Sequence, residues 1–184
     1  MLYDADIRDG LCDFLEEQYG KVRFFDELVI GRSRADIVMV TMEGLTGVEI
    51  KSDADSYARL SGQIKDYDRF FDRNLVAVGT KHAHHIREHV PDHWGVITVE
   101  EVDGEMDLYL LRQPGRSSKV KLENQLGLLW KSELSSIGKA NGLRRPAGKN
   151  KRQYGRYLAE TLPESLLRKS ILRELFERDY TIFK

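Results

Sequence analysis

Three charged residues with useful chemistry, Asp36, Glu49 and Lys51, lie in two neighbouring segments of the sequence. The segments, residues 34–40 and 45–51, are rich in β-branched residues, which predicts two strands of a sheet. Two carboxylates beside an ammonium group form a hard-oxygen site for Mg²⁺, which keeps several waters that a phosphate group can share. A lysine next to such a metal can orient a water or neutralise charge that develops on phosphate.

The turn between the two strands determines whether these groups meet. Glu43-Gly44 predicts a two-residue hairpin loop, and a loop at this position pairs Asp36 with Lys51. Because side chains alternate between the faces of a strand, Asp36, Glu49 and Lys51 are expected on one face. The other face carries four apolar residues that can bury against a helix: Ile37, Met39, Val48 and Ile50. The alternative is an ordinary Asp36–Lys51 ion pair on a solvated sheet face, with Glu49 as a further surface charge.

An aspartate at the end of one strand, a Glu-x-Lys motif on the next and a helix with Gln63 and a tyrosine resemble the PD-(D/E)XK nuclease superfamily. The resemblance covers roughly residues 4–99 and is greatest to the small bacterial and phage members. It implies a Mg²⁺-dependent phosphodiesterase, with Mn²⁺ as a substitute metal. In this resemblance Asp36 and Glu49 are metal ligands and Lys51 is the catalytic lysine.

Other positions of the motif are matched less completely. The carbonyl of Ile50 is the third metal ligand that the resemblance implies, and Gln63 matches the helix glutamine of the Holliday-junction-resolvase-like branch. Ala35 replaces the proline of the name-giving motif. The accessory acid of the family remains unassigned, because Glu16, Glu17 and Glu27 are all possible.

The pattern of apolar residues predicts an α/β protein with a restriction-endonuclease-like core of αβββαβ order and a central mixed sheet, followed by a small all-α module. The core is expected over residues 1–111. Its predicted elements are a helix from near Ala5 to Gly20, a strand at 23–30, the hairpin, a helix from Asp53 or Asp55 to about Asp72, a buried strand at 74–79, and strands at 94–99 and 107–111.

Charge is distributed unevenly along the chain. Residues 1–110 contain 12 basic and 23 acidic residues, whereas residues 111–184 contain 17 basic and 7 acidic ones. A cationic second part suggests contact with a phosphate backbone, while the acidic first part gathers cations. The alternative is a pair of oppositely charged surfaces that attract each other within one fold.

A polar, basic stretch with proline and glycine, residues 112–121, predicts a linker to a helical module at 122–184. The first helix of the module is expected to extend to Ala140. Residues 128–161 resemble a SAP-type helix–loop–helix DNA-binding module, and a module that binds a protein partner is the alternative. The basic loop and the helix after it supply the expected phosphate contacts: Arg144, Arg145, Lys149, Lys151 and Arg152.

The sequence contains a single cysteine, Cys12, which excludes an internal disulfide. No apolar run approaches the roughly twenty residues that span a bilayer, so a cytoplasmic protein without membrane contact is expected. The favoured function is Mg²⁺-dependent cleavage of nucleic acid, DNA rather than RNA, in DNA repair, recombination or phage defence. A non-catalytic nucleic-acid-binding or protein-interaction protein on the same fold is the alternative. Whether a homodimer is needed to cut both strands is left open.

Overall fold

Six strands form one mixed sheet whose spatial order is the same as their order in the sequence. The computed structural model describes residues 2–180, so residue 1 of the predicted core and residues 181–184 of the predicted module lie outside the described residues. The strands are β1 (Arg23–Ile30), β2 (Ser33–Thr41), β3 (Gly44–Lys51), β4 (Arg73–Gly79), β5 (Gly95–Val102) and β6 (Glu105–Arg112). Strands β3, β4 and β5 run parallel, while the other neighbours are antiparallel.

Helices cover both faces of the sheet. They are α1 (Asp4–Tyr19), α2 (Leu60–Phe70), α3 (Thr80–Ala83), α4 (Ile86–His89), α5 (Leu122–Leu128), α6 (Lys131–Ala140), α7 (Lys151–Thr161) and α8 (Glu164–Phe176). The element order α1-β1-β2-β3-α2-β4 confirms the predicted αβββαβ core, and the mixed sheet followed by helices confirms the predicted fold class.

Helix α1 packs on one face of the sheet because its apolar residues recur at helical spacing. Ile7, Leu11 and Leu15 are fully buried and belong to a hydrophobic cluster with the sheet. The sheet residues of this cluster include the four that were predicted to face a helix: Ile37, Met39, Val48 and Ile50. This face therefore holds the hairpin in place and leaves the opposite face for α2.

Helix α2 lies close above β3 because Gly47 has no side chain. A Cβ atom at Gly47 would lie 2.2 Å from the ring of Phe71 and 2.7 Å from the ring of Tyr67. The helix begins at Leu60 rather than at the predicted aspartates, since Asp55 instead accepts hydrogen bonds from the backbone and hydroxyl of Ser52.

The C-terminal helices share a hydrophobic core with α2 and the sheet. Leu126, Leu134 and Leu158 belong to the same buried cluster as Tyr67 and Val38. The predicted single helix to Ala140 is wrong, because the chain breaks between α5 and α6 where the side chain of Glu133 accepts the N–H of Trp130. The division into two domains stays a prediction.

The predicted linker is held against the end of α2. Ser117 donates its backbone N–H to the Asp72 carbonyl at 2.9 Å and its hydroxyl to the Asp68 carbonyl at 2.8 Å. Farther along, the Lys121 N–H donates to the Arg69 carbonyl at 3.0 Å. These bonds fix the direction in which the chain enters α5.

The hairpin turn lies one residue earlier than predicted. Thr41 pairs with Gly44, so Met42 and Glu43 form the loop, and the Thr41 hydroxyl accepts the Glu43 N–H at 3.2 Å. The pairing register therefore moves by two residues and places Asp36 beside Glu49 rather than Lys51. Because the side-chain period of a strand is two, a shift of two residues keeps each side chain on its predicted face.

Candidate active site

The candidate site lies where β2 and β3 stop pairing. The last pair of their ladder is Ile37–Val48, although β3 continues beside β4 as far as Lys51. The Ile50 N–H lies beyond the end of this ladder and donates to Asp36 Oδ2 at 2.8 Å. Since the N–H and C=O of one strand residue point to the same side, the Ile50 carbonyl faces the same gap.

The alternation of side chains between the two faces of β2 is broken at Asp36. Ala35 and Val38 belong to the same hydrophobic cluster, although strict alternation would put them on opposite faces. Glu27 lies across from this point on β1 and has a φ of 55°, in the left-handed region that glycine normally occupies. Irregular strand geometry of this kind reorients side chains, and here the Asp36 carboxylate turns toward β3.

Three donors hold the Glu49 carboxylate, which is 1% exposed. The Lys51 ammonium donates to Glu49 Oε1 at 2.6 Å, and the side-chain amide of Gln63 donates to the same oxygen. The Tyr67 hydroxyl donates to Oε2 at 2.7 Å. Lys51 also donates to Gln63 Oε1 at 3.3 Å, so these side chains form one connected network. The network fixes the orientation of Glu49 and pairs its buried charge with that of Lys51.

Asp36 is less well compensated than Glu49. Burial and the negative charge of Glu49 raise the pKa of Asp36 to about 7, against the lowering effect of the Ile50 N–H and a weaker contribution from Lys51. Within residues 2–180 its second oxygen, Oδ1, accepts no hydrogen bond. A cation between Asp36 and Glu49 would remove the repulsion that raises this pKa.

The donor set suits Mg²⁺ better than a metal that needs a full set of protein ligands. Asp36, Glu49 and the Ile50 carbonyl supply hard oxygen atoms, and no group of three or more His, Cys, Asp or Glu side chains with metal-binding geometry occurs among the described residues. Mg²⁺ is commonly held by one or two carboxylates and keeps several of its waters. These three residues are therefore the ones that would hold it.

The site forms part of a cleft with a volume of about 1290 Å³. Besides Arg34, four exposed basic side chains line this cleft: Arg32, Arg59, Lys65 and Arg69. None of the four forms an ion pair within residues 2–180, whereas the neighbouring Arg34 binds Glu27. The rim of an acidic site therefore carries positive charge that an anionic ligand can bind.

The two predicted accessory acids do not line the cleft. Glu27 binds Arg34 and Arg8, and Glu16 is exposed on the last part of α1. The acid that α1 does place at the cleft is Asp4, which sequence reasoning missed because it lies at the first residue of the helix. Its negative charge also contributes to the raised pKa of Asp36.

The basic loop before α7 is partly occupied by contacts within the protein. The Arg145 guanidinium donates to the Lys149 carbonyl at 2.7 Å and lies over the ring of Tyr154, 5.4 Å from its centroid. The Lys149 ammonium lies 5.9 Å from the ring centroid of Tyr157. These contacts hold the loop on α7 while leaving both charges near the surface.

The remaining predicted phosphate contacts differ in their surroundings. Lys151 donates to the Gly127 carbonyl at the end of α5, at 2.8 Å. Arg144 and Arg152 are exposed and have no ion pair among the described residues. The structure thus leaves Arg144 and Arg152 with the greatest freedom to bind an external anion.

Fold and site together define a mixed α/β protein with a carboxylate and lysine cluster in the gap between two separating strands. The chain belongs to the bacteriophage P4 protein cII family, whose model matches residues 1–182.

A curated relative and a solved structure are similar to this chain. Protein cII of Enterobacteria phage P4 is 24% identical over 141 residues, which is 74% of this chain and 53% of the phage protein, so the chain spans about half the length of that relative. Pyrococcus furiosus SfsA, solved in complex with Ca²⁺, is 17% identical, with a TM-score of 0.38 over 64% of this chain and 63% of that chain. Among the described residues no helix is both long and apolar enough to cross a membrane.

Proposed function

We propose that this protein is a Mg²⁺-dependent nuclease that hydrolyses phosphodiester bonds of nucleic acid, DNA rather than RNA. The observation that carries the proposal is the meeting of Asp36, Glu49, Lys51 and Gln63 at a strand gap inside a cleft rimmed by unpaired cations. This is the residue set that the resemblance to the PD-(D/E)XK superfamily implies. The preference for DNA rests on the similarity to its Holliday-junction-resolvase-like branch.

The acidic residues of the site would bind the metal. Asp36 supplies the oxygen Oδ1 that takes no hydrogen bond within the described residues, Glu49 lies beside it, and the Ile50 carbonyl faces the same gap. When bound, Mg²⁺ would polarise the phosphate and lower the pKa of a water. Asp36 would change most, because the cation would keep it ionised at neutral pH.

Lys51 would act on the phosphate. Its ammonium group has three N–H donors, of which one is bonded to Glu49 and one to Gln63. The third donor can bind a phosphate oxygen and neutralise negative charge as the transition state forms. Gln63 positions Lys51 through its Oε1 atom, and Tyr67 positions Glu49 through its hydroxyl.

A cleavage screen tests the proposal. Labelled single-stranded, duplex and branched DNA and RNA would be incubated with the protein in Mg²⁺, in Mn²⁺ or in EDTA. We expect cleavage that requires the metal, and a loss of about 100-fold or more in Lys51→Ala. Lys139→Ala, which removes an exposed charge from α6, is the matched control and should cleave normally.

Because Lys51 is buried beside Glu49, its replacement by alanine could unfold the protein. Lys51→Gln keeps an N–H donor for Glu49 and removes only the positive charge. A folded Lys51→Gln variant that cleaves at the normal rate would reject the role of Lys51. Absence of cleavage by the unaltered protein on every substrate would reject the nuclease.

A second candidate function is nucleic-acid binding without catalysis. The observation that favours it is the complete pairing of Glu49, whose oxygens both accept hydrogen bonds from protein donors before any metal binds. In that case the cations of the cleft would still bind phosphate. A gel-shift assay on the same labelled substrates would then show binding, while the screen would show no metal-dependent cleavage.

A further inference from the structure

A groove between α5 and α7 lies next to the cleft of the candidate active site. Its volume is about 440 Å³, and its lining includes Val29 of β1 and Phe70 of α2. Val29 also lines the cleft, and its side chain is 70% exposed. The two depressions therefore meet at Val29 and form one continuous surface.

The groove combines an apolar floor with a basic rim. Phe70, Leu126 and Leu128 contribute apolar surface. Lys151, Arg152 and Arg156 contribute positive charge and Glu123 contributes negative charge. Arg152 and Arg156 lie four residues apart on α7, which places them on the same side of that helix. Arg152 forms no ion pair within residues 2–180, and the exposed pair of Arg156 with Glu123 is long, at 3.7 Å. Such a pair is weak and can exchange for a phosphate.

The basic rim of the cleft continues toward this groove. Lys65 and Arg69 are also four residues apart, on α2, and both line the cleft. Phe70 follows Arg69 directly and lines the groove instead. Cationic side chains on α2 are thus followed by Val29 and Phe70 and then by the cationic side chains of α7.

We infer that one unpaired nucleic-acid strand runs from the candidate active site along α2, past Val29, and into the groove between α5 and α7. This inference rests on the proposed function, and it makes nucleic acid with a single-stranded segment next to the cut the substrate class. The phosphates of the strand bind the two pairs of basic residues. Its bases contact the apolar surface of Val29 and Phe70, which a duplex could not do because its bases are stacked and paired.

A binding experiment in EDTA tests this path without relying on catalysis. Fluorescence anisotropy would measure the affinity of the protein for a DNA strand of about twenty nucleotides, for a tetranucleotide and for a blunt duplex of the same length as the long strand. The groove variant is Arg152→Ala/Arg156→Ala. The matched control is Lys131→Ala/Lys139→Ala, which removes two exposed charges from α6, outside both depressions.

We expect the groove variant to bind the long strand about tenfold more weakly than the control does, with a salt slope lower by roughly 1.4. Its affinity for the tetranucleotide, which can occupy the cleft alone, should not change. Val29→Asp places a negative charge at an exposed position and should weaken strand binding more than duplex binding. Equal affinities of the groove and control variants for the long strand would overturn the inference.

The outcomes separate this inference from the nuclease itself. Groove-dependent strand binding without metal-dependent cleavage would support the path and reject the catalytic proposal. If the unaltered protein cleaves nucleic acid and the groove variant binds and cuts long strands equally well, the catalytic proposal is supported and the path is rejected. A stronger effect of the groove variant on the duplex than on the single strand would show that the groove holds paired nucleic acid and would reject the unpaired strand.

Discussion

Asp36 in the candidate site and Asp68 in α2 are two acids shielded from water. Their surroundings shift their pKa values in opposite directions. Burial alone would raise the pKa of Asp68, but its donors outweigh burial and hold that pKa below the usual value. Burial and the neighbouring Glu49 carboxylate raise the pKa of Asp36 to about 7, and its one backbone donor does not offset them. The side chains that donate to Asp68 are Asn74, His93, Trp94 and Lys119.

The opposite pKa shifts distinguish Asp68, an acid with a structural role, from Asp36, an acid that is suited to bind a ligand. Asp68 connects α2 to the start of β4, to the residues before β5 and to the segment that leads to α5. Both oxygens of the Asp68 carboxylate accept hydrogen bonds from donors within the protein. The charge of Asp36 is compensated only in part, which leaves a favourable interaction for a cation to make.

The largest expected effect is on stability, in Asp68→Asn. The amide has one acceptor oxygen where the carboxylate has two, and its NH₂ group would face donors, so the free energy of unfolding should fall by about 3 kcal/mol. Urea unfolding at neutral pH measures this change. Asp92→Asn, at a fully exposed acid, is the matched control and should alter stability little. A loss below about 1 kcal/mol in Asp68→Asn would contradict the structural role.

The same substitution at Asp36 should have the opposite sign. In the absence of metal at pH 8, Asp36→Asn should stabilise the protein by about 2 kcal/mol, because it removes a charge that is buried beside Glu49. Mg²⁺ should stabilise the unaltered protein but not this variant. Thermal unfolding with EDTA and with Mg²⁺ measures both effects.

The pH dependence of stability follows from the direction of each pKa shift. The folded pKa of Asp36, about 7, lies above its ordinary value of 3.8, so the protonated form stabilises the folded state. That contribution is complete below about pH 4 and is lost as the pH rises through 7. Metal-free stability should therefore fall between about pH 4 and pH 7 in the unaltered protein, and less so in Asp36→Asn. The contribution of Asp68 is lost in the opposite direction, as the pH falls below its usual pKa.

A smaller effect is expected from Tyr67→Phe. The variant loses the hydroxyl that donates to Glu49 and should be destabilised by about 1 to 2 kcal/mol, since a buried carboxylate oxygen loses its donor. Tyr109→Phe, at an exposed tyrosine, serves as the control. Combining Tyr67→Phe with Glu49→Gln in a double-mutant cycle measures the coupling. Additive effects would show that the hydroxyl does not act through Glu49.

The smallest effect should come from Glu27→Gln. Its ion pairs with Arg8 and Arg34 are exposed, so the free energy of unfolding should change by less than about 1 kcal/mol. Cleavage should stay within about threefold, as expected for an acid outside the cleft. A loss of cleavage tenfold or greater, measured with the substrate found in the screen, would support Glu27 as the accessory acid.

The sequence was sufficient to predict that the site residues converge, because strand alternation tolerates an even error in register. Asp36, Glu49 and Lys51 reach one cleft although the predicted loop was displaced by one residue. The loop lies one residue earlier because the Thr41 hydroxyl accepts the N–H of Glu43. This hydrogen bond competes with the preference of Gly44 for a position inside the turn.

Contacts between distant parts of the chain could not be predicted. His93 and Lys119 reach Asp68 from 25 and 51 residues away, and no local pattern indicates such partners. The end of the helix before Trp130 depends on a side chain three residues farther on, Glu133, which the apolar periodicity does not register. Packing of α5 to α8 on the sheet likewise comes from tertiary contacts rather than from composition.

Gly47 shows how a residue without a side chain can control the geometry of the candidate site. The height of α2 above β3 depends on it, and that height determines whether Gln63 and Tyr67 can span the distance to Glu49. Even a methyl group at this position would displace the helix and separate two donors from the carboxylate, with every polar group of the site still present. A screen for loss of the proposed nuclease activity should therefore recover Gly47 as readily as the residues proposed to contact the substrate.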